Sequence, residues 1–396
     1  MRHFLVLTIL THFCAGSFAQ TSTSQNTGVQ PEFGFVLDGV ATSSKDSGLG
    51  AEMLMAEMSL SSRIDPAARA YAIIEFPSMT SLDVAEAVVV FDKLGNEFEL
   101  KVGKMNLDLG KYGTVHRHDL AMPFGDPVRA ALFGGPLQGT GLELHKWMAA
   151  GDVPIRFSIG AWGQAGSHSH AEEGHGEDHG EEEEHHHAGI SSSDERLNFA
   201  NWSLSGRLSS QLDFGTNGWW QWGVSYFENS GGLGSEWENE LEPNDPLFAS
   251  GEASGLSAKT IGFDLSVYSA DLTGSRFHRA SLEYWNHLQD VAHAEGAAQT
   301  FELETLEPQG AWFVTEHGLA EGWSIASQIG WWESEVEEQL ESSYRYGLAL
   351  NRNISEFNRL RLAVEEIDDA SESEKAMEVT LQWSAFMGKH RHGIDW

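Results

Sequence analysis

The feature of this sequence that most restricts its fold is a long succession of segments in which every second residue is apolar. Residues 261–268, 344–351 and 377–385 all alternate in this way. Successive side chains of a β-strand point to opposite faces, so strict alternation over about eight residues predicts strands with one apolar and one polar face. The chain is therefore expected to be all-β.

Seventeen candidate strands follow from this pattern, and turn signals such as Asp65-Pro66 and Leu94-Gly95-Asn96 separate them. They lie near residues 33–41, 53–63, 68–76, 82–93, 97–105, 139–149, 154–164, 197–208, 217–227, 257–269, 277–287, 298–305, 310–318, 322–332, 342–351, 357–366 and 376–386. Bacterial single-chain barrels have even strand numbers. We therefore predict about 16 strands and attribute the extra segment to a loop or a miscounted pair.

The spacing of strands and loops favours a membrane protein. No later stretch reaches the ~18 apolar residues of a membrane helix, so a spanning structure has to be a closed barrel. Short turns interspersed with long hydrophilic stretches are typical of such barrels, with the long loops outside the cell. We predict a transmembrane antiparallel β-barrel over residues 20–396. A soluble β-sandwich is the alternative, but it would rarely expose so consistent an apolar face.

Tryptophans cluster toward the predicted strand ends. An aromatic girdle at the membrane interface would place them there. The tryptophans expected in this girdle are Trp147, Trp162, Trp202, Trp219, Trp222, Trp285, Trp323, Trp331, Trp332 and Trp383.

The first residues have the pattern of an export signal. Arg2 and His3 precede an apolar run at 4–13 and a small-residue site at 17–19, which predicts a signal peptide over residues 1–19. The single cysteine, Cys14, falls inside it, so the mature chain would have neither disulfides nor thiolate metal sites. A long exported chain without cysteine fits the bacterial outer membrane.

The charge balance restricts the partners. The sequence has 59 acidic residues against 24 Lys and Arg, a net charge of −35. Nucleic acid binding requires a basic surface, so nucleic acid is excluded as a partner. Cations and outer-membrane lipid are the expected partners, and a homotrimer is a candidate assembly.

The stretch 166–194 is rich in histidine and acid. Seven histidines and eight carboxylates fall between residues 168 and 187, with no large apolar residue among them, so this stretch is expected to be a solvated extracellular loop. Imidazole and carboxylate are ligands for Zn²⁺, Ni²⁺ and Cu²⁺. The candidate ligands are His168, His170, His175, His179, His185, His186 and His187. Affinity alone would favour Cu²⁺, so the choice of zinc comes from context.

Two other places carry paired histidines. The Pro- and Gly-rich stretch 105–138 is not strand-like and is expected to fold into the lumen as a constriction; its His116 and His118 are candidates for a secondary metal site. An ordinary loop with hydrogen-bonded histidines is the alternative. The C-terminal tail repeats the spacing with His390 and His392.

The sequence contains no recognisable catalytic motif. Gly-x-Ser-x-Gly, His-Glu-x-x-His and phosphate-loop patterns are all missing from it. We therefore expect a protein that is not an enzyme and requires no cofactor, with divalent metal as a ligand or as cargo.

The run VGKMNLDLGKYGTVHRHDLAMPFGDPVRAALFGGPLQGTGLELH, together with the His-rich stretch and the Gly-x-His-x-His tail, resembles porin-like bacterial barrels. The similarity is to His-rich outer-membrane proteins described as zinc-regulated and, more distantly, to phosphate-selective porins. It implies an outer-membrane channel or receptor linked to zinc supply. Some of these relatives carry an N-terminal plug domain of well over a hundred residues, whereas strands are predicted here from Phe33 onward. The acidic balance also argues against anion selectivity, since carboxylates favour cations.

These observations predict a porin-like channel for uptake of divalent metal, most simply zinc, with the His/Glu stretch as a capture site. One alternative is a general diffusion porin whose His stretch is incidental or serves metal storage or sensing. Another is a soluble periplasmic metal-binding protein.

Overall fold

The computed structural model describes residues 31–45, 48–76, 81–167, 202–238, 241, 246–294, 300–336, 339–372 and 374–388. The predicted signal peptide at 1–19 lies outside these residues. So do the seven histidines of the stretch 166–194 and the tail histidines, His390 and His392.

The described chain consists mainly of antiparallel strands. They are β1 Glu32–Ser44, β2 Gly48–Asp65, β3 Ala68–Phe76, β4 Asp83–Leu94, β5 Phe98–Asn106, β6 Leu137–Ala150, β7 Val153–Ser167, β8 Ser203–Phe214, β9 Gly218–Glu238, β10 Ser250–Ala270, β11 Phe277–His293, β12 Glu302–Leu306, β13 Gln309–Ala320, β14 Trp323–Val336, β15 Gln339–Ser355, β16 Asn358–Asp368 and β17 Ala376–Gly388. The strand predicted at 197–208 is β8, which begins at Ser203 and ends at Phe214, six residues beyond the predicted end; residues 197–201 lie outside the described residues.

Helices make up little of the described chain. A short α-helix, α1, spans Pro127–Phe133, and two 3₁₀ turns span Gly95–Glu97 and Arg117–Asp119. Among the described residues, none of the helices is long and apolar enough to cross a bilayer.

The strands close into a barrel. Apart from β12 and β13, each strand pairs with its sequence neighbours, and β1 pairs with β17, which completes the ring. Both β12 and β13 pair with β11, one after the other, so the two segments form a single wall strand interrupted at residues 307–308. Pro308 has no N–H for the ladder, while its carbonyl accepts from the His287 N–H at 2.9 Å. Seventeen segments therefore build a closed barrel of 16 strands, as predicted.

The two faces of the wall have opposite polarity. On β10, Leu265 keeps 41% of its surface exposed on the outside, whereas its neighbour Asp264 is fully buried on the inside. On β17, Leu381 and Trp383 are exposed and Gln382 is buried. Apolar residues outside and polar residues inside form the arrangement that a hydrocarbon surround favours. The soluble alternatives are therefore wrong.

The predicted tryptophan girdle is only partly correct. Trp147, Trp323 and Trp383 are exposed on the outer face. Trp162, Trp285 and Trp332, by contrast, are buried. Both Trp162 and Trp285 lie on the inner side of the wall. There the Trp162 indole N–H donates to Ser205 Oγ at 2.9 Å. These indoles fill the lumen rather than contact lipid.

The two ends of the barrel differ in the length of their connections. At one end, which we call the turn end, seven connections of two to six residues join the strands, and β1 begins and β17 ends there. At the other, the loop end, the connections include residues 107–136 and 168–202, which join β5 to β6 and β7 to β8. The His-rich stretch therefore belongs to a connection at the loop end.

Candidate functional site: a lumen crossed by one segment

Residues 107–136, which we call the inner segment, lie inside the barrel. The Gly110 N–H donates to Ser225 Oγ on β9 at 2.9 Å. Farther along, Arg361 on β16 donates to the Leu120 carbonyl at 2.6 Å. Because β9 and β16 stand far apart around the wall, the inner segment crosses the lumen between them.

Packing and capping hold the middle of the inner segment. Helix α1 begins with Pro127 at its first turn, and the Asp126 carboxylate caps it by accepting from the Val128 and Arg129 N–H groups at 2.9 and 3.2 Å. Glycines on the wall allow its close approach. A Cβ at Gly310 or Gly330 would come within 2.5 Å of Val128 or Pro127, respectively.

A buried ion pair fixes α1 to the wall. Arg129 donates to Glu283 Oε2 on β11 at 2.7 Å and to the Leu109 carbonyl at 2.8 Å. The guanidinium also lies over the Trp285 ring, 4.7 Å from its centroid. A buried charge is tolerated when it is paired and fully hydrogen-bonded, and Arg129 meets this condition through three kinds of contact.

A second set of ion pairs holds the start of the inner segment. Asp108 accepts from Arg156 Nη1 and from Ser158 Oγ, both at 2.7 Å. Arg207 on β8 then links this carboxylate to Asp264 on β10, at 3.9 and 3.0 Å. Charges of both signs therefore alternate across this part of the lumen.

The two histidines of the inner segment enter an acidic cluster on β2, β3 and β4. His116 Nδ1 lies 2.9 Å from Glu57 Oε2 and 3.7 Å from Glu75 Oε1. On the other side of the ring, His116 Nε2 lies 3.1 Å from Glu86 Oε1. His118 Nδ1 is 3.7 Å from the same Glu57 oxygen. All five side chains are buried, and we call them the His116 cluster.

Burial and charge act on His116 in opposite directions. Burial alone would lower the pKa of His116, but Glu57, Glu75 and Glu86 favour its charged form, and the pKa is raised well above the ordinary value. The cluster therefore attracts positive charge strongly, whether as a proton or as another cation.

Two cavities lie beside the inner segment, on its turn-end side. A cavity of about 390 Å³ lies between residues 119–121 and the wall from β10 to β16. Arg279, Glu316 and Arg359 line it, and Arg279 Nη2 pairs with Glu316 Oε2 at 2.5 Å. A second cavity, of about 740 Å³, opens at the turn end and shares Arg359 with the first. The two cavities therefore adjoin at Arg359, and their lining carries both charge signs.

Sequence reasoning found the histidines of this region but not their partners. The structure brings His116 and His118 together, with ring centroids 5.8 Å apart. Glu57, Glu75 and Glu86 were not anticipated. Their only sequence signal is an acidic residue within each of three successive strands, and the register that aligns them becomes visible only in the paired sheet.

Comparison with known proteins supports the fold. No protein-family model and no curated protein sequence matches the chain. Among solved structures, OmpT, an outer-membrane protein of Vibrio cholerae, is similar with a TM-score of 0.57 at 9% identity, covering 92% of this chain and 100% of that one. The outer-membrane channel DcaP of Acinetobacter baumannii gives 0.54 at 11%, covering 93% and 100%. An anion-selective porin from Comamonas acidovorans gives 0.54 at 11%, covering 91% and 100%.

The fold is therefore that of an outer-membrane porin. Together with the apolar outer face, it locates the chain in the bacterial outer membrane. At about 10% identity such likeness shows the fold alone. The resemblance to His-rich, zinc-regulated proteins stays a prediction.

Proposed function

We propose that this protein is a passive channel for small hydrophilic solutes that takes part in the uptake of divalent metal, with zinc as the favoured metal. The observation that carries the channel function is the partly filled lumen. The inner segment crosses it, yet a cavity lined by charged side chains remains between this segment and the wall from β10 to β16.

The inner segment is the constriction of this channel in our proposal. The Arg129–Glu283 ion pair holds it at α1, and the Asp108–Arg156 ion pair holds its start. These contacts fix the position of the segment in the lumen. A fixed segment sets a constant cross-section, and a constant cross-section limits passage to small solutes. No chemical step is needed, so the channel is not an enzyme.

The metal role rests on the stretch between β7 and β8. Both strands reach the loop end, Ser167 closing one and Ser203 opening the other. A His- and Glu-rich connection at that end would raise the local concentration of divalent cations beside the channel entrance. In this orientation the loop end faces the outside of the cell, as in other barrels.

One feature supports a general porin as the second candidate. Basic side chains such as Arg279 and Arg359 share the lining of the cavity with Glu316, so the described lining does not favour cations alone. A trimer is the proposed assembly under either function, because one of the similar solved structures is described as a trimer form.

Flux measurements on proteoliposomes separate these functions. We would compare the natural chain with a variant in which His168, His170, His175, His179, His185, His186 and His187 are all changed to Gln. This variant keeps the length and the acidic residues. We expect slower Zn²⁺ entry at low metal concentration and unchanged entry of a small neutral sugar.

The outcomes are distinct. Equal Zn²⁺ entry in both proteins would remove the capture role and leave the general porin. Failure of both Zn²⁺ and sugar to enter would contradict the channel itself. The matched control changes an equal number of Glu and Asp residues in the same stretch to Gln, which tests whether charge rather than imidazole gathers the metal.

A further inference from the structure

The His116 cluster places three carboxylates at one level of the lumenal wall. Glu57 on β2 stands directly opposite Glu75 on β3 in the strand register. Glu86 follows on β4, opposite Ile73 of β3. Like charges directly opposite on neighbouring strands repel each other, and burial strengthens that repulsion. The three carboxylates therefore repel one another at this place unless a cation lies between them.

The distances within the cluster match those of a metal shell. Zinc bonds to imidazole and carboxylate are about 2.0–2.2 Å long, so ligand atoms of a tetrahedral shell lie roughly 3.3–3.6 Å apart. His116 Nδ1 lies 2.9 Å from one carboxylate oxygen and 3.7 Å from the next, which brackets that spacing. The three donor atoms of Glu57, Glu75 and His116 all fall within 4.8 Å of one another.

The other ring nitrogen of His116 is held as in known metal sites. Metal-bound histidines usually donate their second N–H to a carboxylate, which fixes the tautomer and the ring orientation. Here Nε2 lies 3.1 Å from Glu86 Oε1, and the Tyr71 hydroxyl donates to Glu86 Oε2 at 3.0 Å. This arrangement directs Nδ1 toward Glu57 and Glu75.

The geometry points to a divalent-cation site of the zinc class, in which His116 Nδ1, Glu57 and Glu75 are the ligands and Glu86 orients the imidazole. Two positive charges of the ion would offset most of the charge of the three carboxylates, and His118 Nδ1 lies 3.7 Å from the Glu57 oxygen that would bind the ion. The bound ion would join the inner segment to β2 and β3. It is a resident ion that holds the constriction in place, and this role does not depend on which solutes the channel passes.

Metal titration of the purified full chain tests the site. The starting protein is the variant with seven Gln replacements in the stretch 168–187, which removes that competing source of imidazole. After a chelator strips the folded protein in detergent, Zn²⁺ is added and the bound equivalents are counted. We expect His116→Gln and Glu57→Gln each to lose one equivalent relative to the starting protein.

The matched control is His287→Gln. His287 is also a buried lumenal histidine, but its described partners are Thr260 and Gln289 rather than carboxylates. This variant should keep the full number of equivalents. Equal counts in the starting protein and in His116→Gln, or loss of the equivalent in His287→Gln, would overturn the site.

A second measurement needs no substitution within the His116 cluster, so it remains valid if one of those substitutions prevents folding. Co²⁺ replaces Zn²⁺ readily, and its visible absorption reports the number and kind of ligands. We expect the folded starting protein to give the intense absorption of a four- or five-coordinate ion. The weak spectrum of fully hydrated Co²⁺ alone would contradict the proposal. Heat-modifiable gel migration confirms folding in each sample.

Discussion

Two parts of the lumenal wall differ in the polarity of their inward-facing residues. Over residues 260–267 of β10, the inward side chains Thr260, Asp264 and Ser266 are polar and the outward residues are apolar, so the alternation is regular there. On β3 and β4 apolar residues also point inward, among them Ile73 and Val88. The two walls differ in how much apolar surface the inner segment covers. On β3 and β4, Ile73 and Val88 belong to the same buried apolar cluster as Met122 of that segment, beside the charged His116 cluster, whereas the inward side chains of this part of β10 are polar.

The largest test of this comparison removes the inner segment. Replacement of residues 111–133 by a short Gly-Ser linker should raise single-channel conductance several-fold, because the lumen loses the segment that crosses it. It should also lower stability, since Ile73 and Val88 would then face water. Conductance in planar bilayers measures the first effect. A length-matched linker replacing 168–187 is the control and should leave conductance close to that of the natural chain; an unchanged conductance for the first variant would contradict the constriction.

Much of the fold could be predicted from sequence, and the reason is local. Alternation on β10 and β17 is a property of neighbouring residues, and it identifies strands directly. The stretch 88–91 is apolar throughout and lies in β4. It lacks the alternation because its inward residues pack in the apolar cluster of the lumen and its outward residues face lipid. Alternation therefore weakens where the inner segment packs.

The site was less predictable because it depends on register. His116 and His118 could be chosen from their spacing in a Pro- and Gly-rich stretch. Their acidic partners lie 30 or more residues away on other strands, and only the pairing of Glu57 with Glu75 brings them together. Trp285 was misassigned to the membrane girdle for the same reason, since sequence does not say which face of a strand the inner segment will cover.

The second test compares one inward residue from each wall. Ile73→Ala should destabilise the barrel by about 2–4 kcal/mol, because it leaves a cavity in close-packed apolar surroundings. Ser266→Ala removes one hydroxyl hydrogen bond, to Ser281 at 2.9 Å, and should cost about 1 kcal/mol. Tryptophan fluorescence during denaturation in detergent measures both. Equal losses would show that the two walls do not differ in packing.

The third test concerns the outer face of β10. Leu265→Arg places a charge in the hydrocarbon and should cost about 2–4 kcal/mol if the residue lies near the bilayer midplane. Gln382→Arg on β17, an inward position, would instead place its charge in the lumen and serves to compare the two faces. The yield of heat-modifiable barrel after refolding into bilayers ranks the variants. Normal refolding of Leu265→Arg would contradict the assignment of this face to lipid.

The smallest expected effect is on ion selectivity. Arg359 lines both cavities and donates to the His118 carbonyl, so its guanidinium places a fixed positive charge between them. Arg359→Gln leaves Asp119 and Glu316 on the lining and should shift the reversal potential in a salt gradient toward cations. Arg359→Lys keeps the charge and should hold the natural value, while Arg63→Gln, exposed at the turn end and paired with Asp92, should change nothing. If the reversal potential shifted as much in Arg359→Lys as in Arg359→Gln, the position of the inner segment, and not the charge beside it, would set the ion selectivity.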